Sequence, residues 1–166
     1  MIHQILYLYD NKQLKESLEK FAKFPISTSF ENNEPRLLLV AVDVQEAIPV
    51  VFDSYEKQDG TRKSEYGRHR RLKSTGSTKD QENEDFEHVI RYNDGITSDF
   101  VLASCSVPVN YDYTRLNVET RALVPEGRDG SAVTEDNDRL NPNGSTNLSY
   151  FWDGGLLAIL HYGKLS

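Results

Sequence analysis

The segment RLLLVAVDVQEAIPVVFDSY, residues 36–55, constrains the fold more than any other part of this 166-residue chain. Residues 36–44 form a near-continuous apolar run, which predicts a strand buried on both faces, as in a sheet covered by helices. Gln45, Glu46 and Ala47 interrupt the run before IPVVFDSY, so the two stretches read as a hairpin of short, β-branched strands.

Helical signals flank this hairpin. Asp10 precedes a helical pattern, with Gln13 placed as a capping-box partner. Leu14, Leu18 and Phe21 then recur at helical spacing between lysines and glutamates, and the pattern stops before Pro25. Further on, Thr97 or Ser98 can cap a short helix carrying Phe100, Val101 and Ser104, ended by Pro108. Residues 148–152 read as a last buried strand. Strands of buried type together with helices predict an α/β domain.

Two polar stretches break this pattern. Residues 57–85 contain almost no aliphatic side chains and switch from basic to acidic, so they are expected to form a disordered insertion. Their basic half, residues 62–73, is either a solvated loop or a contact for anionic lipid. A second polar run, PEGRDGSAVTEDNDRLNPNGSTN, precedes the last strand.

Composition excludes several classes. A formal net charge of -7 argues against a nucleic-acid partner. The single cysteine, Cys105, excludes an internal disulfide framework and fits a reducing compartment. No apolar stretch approaches the ~20 residues of a membrane-spanning helix, and the N-terminus lacks the features of a signal peptide. The expectation is a soluble cytoplasmic protein.

Chemistry is sparse. No Gly-x-Ser-x-Gly elbow is present, so Ser54, Ser98, Ser104 and Ser106 lack a nucleophile's context. His3, His69, His88 and His161 are isolated from one another and from Cys105, which gives no metal spacing, and no cofactor motif is present. Cys105 is either an inert thiol or a thiol nucleophile. Asp153 is the more informative residue. A carboxylate at the end of a buried strand, followed by Gly154 and Gly155, is presented at a sheet edge with room for close backbone approach. A structural Asp-Gly turn is the alternative.

ASCSVPVNYDY, followed later by FWDGGLLA, resembles the second half of the patatin-like phospholipase family, as do FPISTSF, PRLLLVAVDV and VVFDSY. The resemblance covers most of the chain outside the two polar stretches. It implies part of a three-layer α/β/α domain with a mainly parallel central sheet, and a serine acyl hydrolase acting on lipid esters through a Ser-Asp dyad. Asp153 would be the catalytic carboxylate, with Gly154 and Gly155 completing its motif. The family's Gly-rich oxyanion loop and serine elbow belong to its N-terminal half, which has no counterpart here. This chain would thus hold the base without the nucleophile, with a lipid ester as substrate and a membrane surface as a further contact. Alternatively, it is a non-catalytic remnant or binding module.

The tail departs from the family's Asn-x-Pro continuation. One permitted back-translation, with a single A inserted after the Ala158 codon, turns AILHYGKLS into Ala-Asn-Thr-Pro-Leu-Arg-Glu-Val-Ile. Residues 159–166 are therefore expected to be out of frame, the alternative being a naturally divergent C-terminus.

Overall fold

A computed structural model describes residues 9–72, 83–108, 110–123 and 146–155. Its elements in chain order are α1 (Asn11–Phe21), β1 (Leu38–Asp43), β2 (Ile48–Asp53), β3 (Lys63–Leu72), β4 (Asn83–Arg91), α2 (Ser98–Cys105), β5 (Thr114–Leu123) and β6 (Thr146–Asp153). The strands make a six-stranded sheet in the order β2-β1-β6-β5-β4-β3. Every pairing of neighbouring strands is antiparallel. The expected three-layer α/β/α domain with a mainly parallel sheet is therefore wrong: the fold is mostly antiparallel β, with two short helices among the described residues.

The reason lies in β1 and β2. Their apolar run is open on one face over much of its length, and only the end of β1, Ala41 to Asp43, is buried on both. Ala41, Val50 and Phe52 are at most 1% exposed, whereas Val40 and Val51, which pair in register, are 42% and 48% exposed. Apolar residues on the open face made a one-sided strand look two-sided, and one-sided burial is what an antiparallel sheet provides. The hairpin itself is present, and residues 148–152 lie within β6, paired to the other side of β1.

The sheet curls until its end strands approach, forming a nearly closed barrel. Hydroxyls bridge the seam: Ser64 of β3 donates to the Val51 carbonyl, and the Asp53 amide donates to the Tyr92 hydroxyl at 3.0 Å. These bonds satisfy edge groups of β2 that a further strand would otherwise take. Inside, Phe52, Tyr92, Phe100, Ile96, Leu116, Val118 and Phe151 form the core, with α2 packed against β1, β5 and β6.

The polar stretch expected to be a disordered insertion instead contains β3 and the start of β4, while residues 73–82 lie outside the described residues. Alternation explains how so polar a strand is held. Ser64 and Tyr66 point inward and are at most 8% exposed. Outward, Glu65 meets Lys57 at 3.1 Å, Lys63 at 3.2 Å and Arg121 at 3.2 Å. Burial pushes the Glu65 carboxyl up, but hydrogen bonds from Lys57 and Lys63 outweigh it and leave the group below its usual range. The apolar matter that β3 lacks on its inner face is supplied by its neighbour, where Ile90, 2% exposed and paired with Ser64, joins the core.

α1 begins where the sequence predicts it. Asp10 caps it by accepting from the Lys12 amide at 2.7 Å. Leu14 and Leu18 are half-buried, while Phe21 is 83% exposed. α2 likewise starts at Ser98, and its turns are held to α1 by Lys15–Asp99 and Ser98–Glu19 contacts, each 2.7 Å long.

Candidate carboxylate site

Asp153 is the last residue of β6 and pairs in register with Ala41 of β1. Three backbone-level contacts fix it. Its amide donates to the Ser106 carbonyl at 3.0 Å, the Gly154 amide donates to the Val40 carbonyl at 3.2 Å, and the Gly155 amide donates to Asp153 Oδ1 at 2.9 Å. The side chain is half-buried, so the carboxylate is held by its own turn while still reachable.

The two glycines have different roles. A Cβ on Gly154 would sit 2.6 Å from the Val40 carbonyl oxygen and 2.7 Å from its carbonyl carbon, so β6 can close on β1 only with glycine there. A Cβ on Gly155 would meet Asp153 Oδ1 at 3.5 Å, an ordinary contact. Gly154→Ala should therefore lower stability by about 1–3 kcal/mol in urea unfolding, as overpacking against rigid backbone does. Gly155→Ala should stay within about 0.5 kcal/mol of wild type. Equal midpoints for the two variants would contradict this geometry.

The helix C-terminus completes the site. Ser106 caps α2, its amide donating to the Leu102 carbonyl at 2.9 Å. The Ser106 side chain is fully buried and accepts from Asn11 Nδ2 at 3.2 Å. Cys105 is exposed, and its thiol is pushed up first by burial of the sulfur and then by the Asp153 charge. A thiol held neutral beside a carboxylate is a poor nucleophile, which weighs against the thiol-enzyme alternative.

None of the candidate serines reaches Asp153. Ser54 bonds Thr28 Oγ1 and the Leu37 amide, Ser98 bonds Glu19, Ser104 bonds the Val101 carbonyl, and Ser106 bonds Asn11. Among the described residues, the Asp153 carboxylate accepts from the Gly155 amide and from no hydroxyl. The described residues also contain no group of three His, Cys, Asp or Glu side chains placed to hold a metal ion. Of the four histidines, His88 has its side chain described, with Nδ1 at 3.1 Å from Thr120 Oγ1. Residues 159–166 lie outside the described residues, as does the expectation that they are out of frame.

Two polar features escaped the sequence reading. Asp43, 1% exposed, accepts from the Gln45 and Glu46 amides and from the Tyr66 hydroxyl at 2.8 Å. Burial, then the bond to Asp43, pushes the Tyr66 phenol far above its ordinary value. This pair ties the β1–β2 turn to β3, and its atoms are consumed in doing so. Arg62, 7% exposed, floors a polar groove of ≈ 680 Å³ between the loops 27–34 and 55–62. Asp43 had a signal, as the one acidic residue inside the apolar run 36–44, whereas Arg62 lies in polar sequence where a buried arginine looks like a solvated one.

No helix among the described residues is long and apolar enough to cross a membrane. Compared with family models, curated proteins and solved structures, the chain matches none of them.

Proposed function

We propose that this chain contributes the carboxylate of a Ser-Asp dyad acyl hydrolase acting on lipid esters, with Asp153 as the base and the serine outside this sequence. The observation that carries the reading is the junction of the two quoted motifs. AS-x-S-x-P and Asp-Gly-Gly lie far apart in the chain, yet the Asp153 amide bonds the Ser106 carbonyl at 3.0 Å. The reading rests on that junction and on the accessible carboxylate, and takes nothing from the parallel α/β/α frame. A carboxylate so held can orient and deprotonate a serine hydroxyl brought within hydrogen-bond reach, without a histidine. A cytoplasmic location accords with the single cysteine thiol.

The chain alone lacks both the nucleophile and oxyanion donors aimed at it, so no turnover of a short-chain p-nitrophenyl ester above background is expected. Joined to a Gly-x-Ser-x-Gly segment read from the flanking DNA, and with the tail restored to the Asn-Thr-Pro frame, it should hydrolyse that ester. Asp153→Asn should then reduce turnover by roughly 10⁴-fold, the scale of carboxylate loss in a serine triad. Turnover that survives Asp153→Asn would end the dyad reading. Flanking DNA without a serine elbow would end it too, leaving a binding module.

A further inference from the structure

Asn11 is the first residue of α1, far in sequence from β6. Its Nδ2 donates to the Asp112 carbonyl at 2.6 Å and to Ser106 Oγ at 3.2 Å. The carbonyl acceptor fixes which end of the amide is which, because an oxygen placed there would face another oxygen. Both Nδ2 hydrogens are thereby used, while Asn11 Oδ1 is buried without a partner among the described residues. Ser106 is the hub of this arrangement. Its amide holds the end of α2, its hydroxyl is held by α1, and its carbonyl holds the Asp153 amide.

We propose that Asn11, acting through Ser106, is a positioning residue for Asp153: it locks the end of α2 so that the Ser106 carbonyl fixes the last residue of β6 and the direction of its carboxylate. This rests on the reading of Asp153 as the catalytic base, but the geometry can be tested without any hydrolysis. α2 spans eight residues and ends at an extended Ser106, so nothing within the helix itself sets the orientation of that carbonyl. The side-chain tether from α1 does. Loss of the tether removes one hold on Ser106 and Asp112 while the Tyr9–Asn110 and Tyr111–Val107 backbone bonds remain, so the acceptor of the Asp153 amide is loosened without the segment unfolding.

The chain carries its own reporter. Cys105, its single cysteine, is exposed and feels the Asp153 charge. The pH profile of its alkylation by iodoacetamide therefore responds both to burial of the sulfur and to that carboxylate, and a double variant separates the two. Asp153→Asn in the full chain should shift the midpoint down and raise the thiolate fraction at a fixed pH below it, by removing the charge that opposes thiolate formation. Asn11→Ala and Ser106→Ala should each shift it in the same direction. Asn11→Ala combined with Asp153→Asn should add nothing to Asp153→Asn alone, because both act on one charge. Ser17→Ala, elsewhere on α1, should leave the profile in place. Near-UV circular dichroism checks that each variant is folded, and Ser106→Ala carries the test if Asn11→Ala is not.

Overturning results are specific. Wild-type midpoints in folded Asn11→Ala and Ser106→Ala, with Asp153→Asn shifted, would end the positioning role and leave the dyad reading intact. An unshifted Asp153→Asn profile would end it as well, by removing the carboxylate from the neighbourhood of Cys105. Shifted profiles combined with an inactive serine-bearing protein would support the clamp and sink the hydrolase reading.

Discussion

Phe52→Ala is expected to cost about 3–5 kcal/mol, the range for removing a fully buried aromatic ring from a core. Phe52 is 0% exposed and lies 4.7 Å from the Phe100 ring and 5.8 Å, edge-on, from the Tyr92 ring. It thus joins β2, the segment after β4 and helix α2 in one contact set. A loss of that size rivals the whole stability of a domain, typically about 5–15 kcal/mol. Urea unfolding followed by fluorescence should show the midpoint falling steeply or the transition vanishing. Val51→Ala, one residue away on the open face and 48% exposed, should cost less than about 1 kcal/mol. Similar losses for both would mean that β2 does not have one buried and one open face.

Arg62→Ala is expected to cost about 3–5 kcal/mol, although it removes a residue from the most polar part of the chain. The guanidinium donates to the Ser54 carbonyl at 3.1 Å, the Asn93 carbonyl at 2.8 Å and Ser27 Oγ at 2.5 Å, and pairs with Glu56 at 3.0 Å. Truncation leaves those acceptors without donors in a site where Arg62 itself is 7% exposed. Glu56 is 52% exposed and can hydrate, so the loss comes chiefly from the orphaned carbonyls and hydroxyl. Glu56→Gln should accordingly have little effect. Arg62→Lys should recover only part, because one ammonium cannot span the directions that a planar fork reaches. Thermal unfolding of the three variants decides the matter. An Arg62→Ala midpoint within a degree or two of wild type would show that this stretch is not part of the folded unit.

The contrast between these residues shows how far the sequence is legible. Phe52 sits in an alternating apolar strand, and its hairpin with β1 could be read directly because local pairing needs only a turn and two runs. Both helices could be located because capping and apolar spacing are also local. Arg62 could not. Its partners Ser27, Ser54 and Asn93 come from three other segments, and a buried arginine has the composition of a solvated one. β3 was missed for the same reason, since the core residue beside its inner face, Ile90, belongs to β4.

The β1–β2 hairpin, the position of both helices and the Asp-Gly-Gly turn after a strand follow from the residues alone, because each depends on neighbours along the chain. The sequence also singled out Asp153, Gly154 and Gly155. The direction of strand pairing comes from long-range packing, since apolar runs are alike in parallel and antiparallel sheets and differ only in which face is covered. The folded chain shows this direction, and the sequence does not. The folded chain alone showed that Gly154, rather than Gly155, is the glycine the fold requires, through a 2.6 Å approach to Val40. It alone set Asn11 against Ser106 and Ser106 against Asp153, because hydrogen bonds between distant segments leave no spacing in the chain from which to read them.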